Sequence, residues 1–387
     1  MPALGSTGDV MPFLALAGDP VVGATAATWQ PRPMTWSAAA EFTTEACYLN
    51  TASIGLPPAV TSLAVSDDIR LWAAGRREPA DYDPLVERAR RRFADFVHVD
   101  PSLVALGHQA SPLVGLVAAA VPDGGEVVVA EGEFTSVTFP FAAHADRGVQ
   151  VREVPLGEVA DEVGPSTAWV AVAAVQSADG RLADLDAVEA AARRHGARVL
   201  VDLTQSAGWL DLDASRFDAT VTSGYKWLLG PRGTAFLTVA PDVVDLLRPL
   251  AAGWFAGEDV WSSIYGLPLR LAGNARRFDV SPGWPAWVGA EKSLEFLAGI
   301  GPRALQDHAL EVSRAFAAAA GLPVSSSAIL SLEAVPDADA QVSAVLQRYH
   351  VVAAHRAGRL RVSFHVHNTV DEVARVGAAL AGLLIAG

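Results

Sequence analysis

An α/β fold with a large domain built on a seven-stranded, mainly parallel sheet, followed by a small α+β C-terminal domain, is what this sequence predicts. Three observations carry that prediction. Short apolar runs of strand length alternate with helical stretches between positions 103 and 240, the pattern of strand–helix–strand crossovers. The chain has 387 residues, more than one core usually takes up, so a second domain is expected. A single lysine, Lys226, ends one apolar run in "ATVTSGYKWLLGPRG". A buried amine is costly to keep charged, and a chain tolerates it there when it has a covalent task.

The elements follow in order. "LVALG" (103–107) reads as a strand and "SPLVGLVAAAV" (111–121) as a helix opened by Ser and Pro. The turn "PDGG" (122–125) leads into the strand "EVVVAEG", and "VREVPL" and "WVAVAAV" are two more. "DLDAVEAAARRHG" (184–196) is a helix closed by Gly196, feeding the strand "ARVLVDL" (197–203). "ATVTSG" and "TAFLTVA" (234–240) complete seven strands. One long helical stretch spans 290–321, and a β-α-β-β-α pattern fills the tail. The expected organisation is an extension over 1–35, an N-terminal segment over 36–56 that joins the small domain, a large domain over 57–284 and a small one over 285–387. Residues 2–18, "PALGSTGDVMPFLALAG", resemble the opening of a nucleotide-sugar glycosyltransferase, with no support later in the chain.

Charge and composition remove several function classes. The formal net charge of −14 argues against a nucleic-acid partner, since phosphate neutralisation needs clustered Lys and Arg. The one basic run, "ERARRRF" (87–93), reads as the solvated face of a helix. No apolar run reaches the roughly 18–20 residues of a membrane span. The one cysteine, Cys47, excludes an internal disulfide and a cysteine-based zinc cluster. With no secretory signal in view, the expected compartment is the cytoplasm. Histidines supply no metal set: "HVHN" puts His365 and His367 on one strand face, and neither a carboxylate nor a cysteine completes a site.

Ligands of parallel α/β sheets bind beyond the carboxyl ends of the strands. There "ARVLVDL" delivers Asp202, with Gln205 three residues on, and "ATVTSG" delivers Ser223, Tyr225 and Lys226. A buried carboxylate and a buried lysine at neighbouring strand ends suit pyridoxal phosphate, which needs an imine-forming amine and an acid partner for its pyridine nitrogen. The spacing alone also allows a plain Asp–Lys ion pair.

"VLVDLTQSAGWLDLDASRFDATVTSGYKWLLGPRGTAFLTV" (199–239) is similar to the cofactor segment of the class V aminotransferases, a pyridoxal-phosphate-dependent transferase family of fold type I that includes cysteine desulfurases, kynureninases and isopenicillin N epimerases. The similarity runs from "YLNTASIGLPP" at position 48 to "LRVSFHVHNTVDEV" ending at 373. It implies that Lys226 forms the Schiff base, that Asp202 partners the pyridinium and that Gln205 meets the phenolic oxygen. Ser223 and Tyr225 would bind phosphate, together with Gln109, Ala110 and Ser111 of "GHQASPL", where a helix N-terminus suits an anion. Phe134, in "EGEFTSVTFPF", would stack on the ring, and Ser177 would approach it. Arg361 would hold the substrate carboxylate, a task for a planar guanidinium, and Asn50 and Thr51 would line the substrate pocket. Ser281, in "RRFDVSPGW", stands where a residue of the family's second subunit reaches the phosphate, which implies a homodimer.

Departures from the family bear on the reaction. The segment before Arg361, "YHVVAAHRAGRLRVS", has no cysteine, so persulfide-forming desulfurase chemistry is not expected. "KWLLGPRG" and Phe134 resemble the branch that includes the ergothioneine C–S lyase and the isopenicillin N epimerases. The expected reaction is β-elimination on an α-amino acid, with Lys226 moving the α-proton and Tyr225 or a histidine as acid. Transamination with a keto-acid acceptor is the alternative, followed by epimerisation and kynureninase-like hydrolysis; an idle scaffold is set aside. The tryptophans suggest a pocket with aromatic walls, and "GWFAGEDVW" (253–261) is the expected specificity loop.

Overall fold

The computed structural model describes residue 38 and residues 41–387; the expected extension over 1–35, with its glycosyltransferase resemblance, lies outside them. The described chain runs β1 (Cys47–Tyr48), α1 (Ala59–Ala73), α2 (Asp83–Phe96), β2 (Val104–Gly107), α3 (Ala110–Ala118), β3 (Glu126–Ala130), α4 (Thr135–Ala142), β4 (Gln150–Val154), β5 (Thr167–Ala173), α5 (Leu185–His195), β6 (Arg198–Asp202), β7 (Ala219–Ser223) and β8 (Ala235–Val239). Then come α6 (Trp284–Ile300), α7 (Pro302–Ala320), β9 (Ile329–Ala334), α8 (Asp339–Arg348), β10 (Val351–Val352), β11 (Ala354–Arg356), β12 (Arg359–Ser363), α9 (Val370–Leu380) and β13 (Leu384–Ala386).

Seven strands form the main sheet in the order β2-β8-β7-β6-β5-β3-β4. Only β8 runs antiparallel to its neighbours; the other pairs are parallel. These strands are apolar almost throughout because both faces are covered. Successive residues serve opposite cores: Val170, Val172, Val199 and Val201 pack with α2, α5 and α6, whereas Trp169, Ala171, Leu200 and Val221 pack with α3 and α4. Local signals set the boundaries. Helix α5 starts where the Asp184 side chain accepts from Ala187 N at 3.0 Å and stops at Gly196, whose φ is 70°.

A second sheet, antiparallel, has the order β11-β12-β9-β13 and closes over α7 and α9 through Val312, Phe316, Leu332, Val362, Val373 and Val376. The N-terminal segment returns to this side, with β1 pairing β10 in parallel and Asn50 bridging Ser363. Among the described residues no helix is long and apolar enough to cross a membrane.

Four expectations are corrected. The helical stretch over 290–321 is two helices, broken between Gly301 (φ 91°) and Pro302. The basic run is not a solvated face: Arg90 is buried and paired with Asp279 at 2.6 Å, while Arg88 and Arg92 reach Glu291 on α6. His365 and His367 follow β12 in a turn rather than sharing a strand face, and each is buried against a backbone carbonyl, Trp227 O at 2.8 Å and Tyr48 O at 3.0 Å. The tail carries an extra strand, β13, on the free side of β9.

Candidate active site

Strands β6 and β7 are adjacent and parallel, with Asp202 opposite Val221, so Asp202 and the segment after Ser223 emerge at one carboxyl edge. Asp202 is buried, and its Oδ1 accepts from Thr204 N at 2.7 Å. Thr204 Oγ1 in turn accepts from Ser223 N at 3.0 Å, tying the two strand ends together. Burial pushes the Asp202 carboxyl up, with Thr204 and the Lys226 charge pulling it back.

Lys226 is 5% exposed. Among the described residues its amine has no hydrogen-bond or ion-pair partner; Nζ lies 5.3 Å from the centre of the Phe134 ring and 5.8 Å from that of Tyr225. Desolvation brings its pKa down to about 8, against the pull of Asp202 and helped by Arg361, Arg356 and Arg232. A minority of this lysine, far more than of an ordinary one, is therefore neutral at physiological pH, which an amine needs in order to attack a carbonyl.

Close backbone approaches fix the lysine segment. A Cβ on Gly55 would sit 2.0 Å from Lys226 O, and one on Gly208 would sit 2.2 Å from Trp227 O. Gly55 N also donates to Tyr225 O at 2.9 Å. Only glycine lets these two segments cross so near.

Gln205 is buried behind the lysine. Its Oε1 accepts from Trp227 Nε1 at 2.8 Å, and its Nε2 donates to Ser177 Oγ at 2.9 Å and Ala52 O at 3.1 Å. An indole N–H can only donate, so Trp227 fixes which end of the amide faces the cleft. Arg361, on β12 and 1% exposed, donates to Ser177 O and to Ser53 Oγ (2.8 Å). Desolvation and Arg356 bring its pKa down to about 10.

These groups surround a cleft of about 140 Å³. Of the residues expected from sequence, Gln109, Ala110, Phe134, Ser177, Asp202, Gln205, Ser223, Tyr225 and Lys226 line it. Ser111 sits half-buried in the first turn of α3, and Ser281 is exposed ahead of α6; neither lines the cleft. Arg361 lies one residue removed from it, behind Ser177. Asn50 Oδ1 and Thr51 Oγ1 are buried without partners among the described residues. The aromatic walls expected from the tryptophans are absent from the lining, where the rings are Phe134 and Tyr225; Trp209, Trp227 and Trp287 are core. No residue of 253–261 lines it.

Sequence reading passed over Ser136, Ala173, Thr204 and Arg232, which line the cleft too. Thr204 lies inside the D-x-x-Q motif, and Arg232 inside "KWLLGPRG", which carries a family resemblance but gave no role to the arginine. Glu133 was missed as well. It accepts from Phe134 N (2.8 Å), Ala173 N (2.8 Å) and Gln176 Nε2 (2.9 Å), and burial pushes its carboxyl up. It thereby fixes the backbone that presents Phe134.

The fit to pyridoxal phosphate can be tested on these groups. Helix α3 begins at Ala110 with Gln109 extended at its N-cap and no side-chain cap, so its first N–H groups are open to an anion. A partly neutral lysine and a buried carboxylate stand at the same cleft. The residues fit the group, and with the fold they define a pyridoxal-phosphate-dependent enzyme of fold type I. The family model "Aminotransferase class-V" matches residues 77–322, and the chain belongs to that family.

Its relatives include an uncharacterized aminotransferase of Bacillus subtilis (strain 168), 29% identical over 306 residues, covering 74% of this chain and 80% of the relative. The isopenicillin N epimerase of Streptomyces clavuligerus is 29% identical over 267 residues, covering 61% and 66%. Among solved structures, the cystine C–S lyase C-DES in complex with its product cysteine persulfide superposes with a TM-score of 0.77 at 23% identity, over 88% of this chain and 98% of that one; this is a likeness of fold. Probable cysteine desulfurases and a kynureninase match as well. The sequence-based exclusion of desulfurase chemistry therefore has no support from the relatives.

Proposed function

We propose that the enzyme acts on an α-amino acid by β-elimination, releasing a sulfur leaving group. The observation that carries this reading is the state of Cys47, the one cysteine of the chain. It is buried on β1, and desolvation and Glu372 push its thiol far above the ordinary range. Elimination asks for no enzyme thiol. It asks for an amine that can carry the α-proton, which Lys226 Nζ is suited to do.

When bound, the cofactor supplies an electron sink for the carbanion formed at the α-carbon. The protein's own groups then divide the work. Lys226 anchors the cofactor and later takes the α-proton on Nζ. Asp202 holds a proton at the ring nitrogen. Gln205 and Ser177 would meet the ring's phenolic oxygen, and Phe134 would cover one face. The N–H groups of Gln109, Ala110 and Ser111, with Ser223 and Tyr225, take the phosphate, and Ser281 of the partner subunit completes it in a homodimer. Tyr265 and Leu267, 86% and 88% exposed, supply apolar surface for such a second copy. Arg361 takes the substrate carboxylate, with Asn50 and Thr51 beside it. The C–S electron pair departs with sulfur as a thiolate, which takes its proton from solvent.

Transamination is the second reading, favoured by the aminotransferase among the relatives. A single-turnover assay of the holoenzyme with S-substituted cysteines and ordinary amino acids separates the two. Pyruvate and ammonia with the starting cofactor spectrum restored are expected. Conversion of the cofactor to its amine form without pyruvate would overturn elimination.

A further inference from the structure

The site holds more positive charge than this chemistry uses. Arg361 and Arg356 both donate to one hydroxyl, Ser53 Oγ, from Nη2 atoms at 2.8 and 3.4 Å. Their charged ends therefore lie within about 6 Å of each other, a range in which like charges oppose one another. Among the described residues no carboxylate pairs with either. Asp179, two residues from Ser177, is engaged by Arg181 at 2.8 Å, and Glu333, on the strand paired with β12, by Arg359 at 2.6 Å. Among the described residues Arg361 Nε is buried without a partner. Its guanidinium is thus a buried cation without a countercharge, an arrangement that is costly unless a ligand provides one. Both arginines also depress Lys226, so their fields reach the reacting amine.

One anionic group, the α-carboxylate, answers Arg361. Arg356 remains, exposed beside Ser53, its Nη1 donating to the carbonyl of His355 (2.8 Å) and, among the described residues, with no carboxylate partner. We propose that the substrate carries a second anionic group on its side chain, and that Arg356 is the residue that selects it. With the elimination reading, on which this rests, the substrate class becomes a cysteine S-conjugate whose S-substituent bears a carboxylate or similar acid.

The test compares two ligands that differ in charge and hardly in shape, S-carboxymethyl-L-cysteine and S-carbamoylmethyl-L-cysteine, titrated against the holoenzyme by its cofactor spectrum. The acid binds on the order of 10- to 100-fold more tightly, as one charge-assisted contact predicts. Arg356→Met abolishes the difference by weakening the acid alone, whereas Arg361→Met weakens both ligands. Equal affinity for the two ligands overturns the proposal. So does an equal loss for both in Arg356→Met, since the two arginines would then share one carboxylate. A second readout needs no cofactor chemistry: succinate raises the melting temperature more than succinamate does, and Arg356→Met removes that difference. Protein that purifies without a cofactor band yet keeps the succinate preference would overturn the cofactor reading alone, whereas a succinate effect no greater than that of succinamate overturns this one.

Discussion

Lys226→Met in the cofactor-free protein tests the desolvated lysine without any catalysis. The folded amine titrates at about 8 against an ordinary 10.5. Each tenfold change in proton affinity is about 1.4 kcal/mol, so holding the protonated amine in the fold costs about 3 kcal/mol. The sign follows from proton counting. Between pH 8 and 10.5 the unfolded chain binds more protons than the folded one, so stability rises with pH through that window, and the whole cost is present below it. The variant removes the cost. It should exceed the parent by about 3 kcal/mol at pH 7 and by less than about 1 kcal/mol at pH 10, measured by urea unfolding of both proteins at both pH values. Titrations of groups that do not interact with Lys226 cancel in the difference, Asp202 being the one carboxylate coupled to it, and any repacking by Met adds the same offset at each pH. A difference that does not shrink between pH 7 and pH 10 would refute the desolvation argument.

Two further predictions concern the frame. Gly55→Ala sets a Cβ against Lys226 O and 2.9 Å from Leu229 Cδ2; it should cost about 1–3 kcal/mol by overpacking and weaken cofactor retention in equilibrium dialysis. Asp279→Asn leaves buried Arg90 with one carboxylate partner, Glu87 at 3.1 Å, in place of two, and should cost about 1–3 kcal/mol in thermal or urea unfolding.

What the sequence made legible, and what it hid, divides along physical lines. Six of the seven main-sheet strands were readable because both faces are covered, which makes each a largely apolar run between turn residues; β4, the edge strand QVREV, showed through its two valines instead. Lys226, Asp202, Gln205 and Ser223 were readable because the D-x-x-Q and S-x-x-K motifs sit at strand ends. Arg90 was hidden: its partner Asp279 is 189 residues away, and local pattern shows only a charge run. The break at Gly301–Pro302 was written in the sequence but outvoted by helical, alanine-rich flanks. Arg361 was visible through the family resemblance, while its neighbour Arg356 gave no signal, since its meaning depends on the Ser53 hydroxyl that both arginines reach.

The lysine's setting combines a free side chain with a clamped backbone, and the clamp comes from both sheets. His365, in the turn after β12, is fully desolvated, and burial brings its pKa down to about 3, so the ring is neutral. Its Nδ1 accepts from Val366 N at 2.6 Å, which leaves the proton on Nε2, donated to Trp227 O. Trp227 therefore accepts through its carbonyl from the small sheet and donates through its indole to Gln205 on the main-sheet side. Gly55 presses on the preceding carbonyl from the N-terminal segment. Three stretches distant in sequence thus hold the two residues 226 and 227 in place, while Nζ itself makes no hydrogen bond or ion pair among the described residues. The role proposed for Lys226, an amine that exchanges partners during turnover, would need that combination: a hydrogen bond to Nζ would have to be broken at each exchange, whereas restraint on the main chain fixes its position and leaves its reactivity intact.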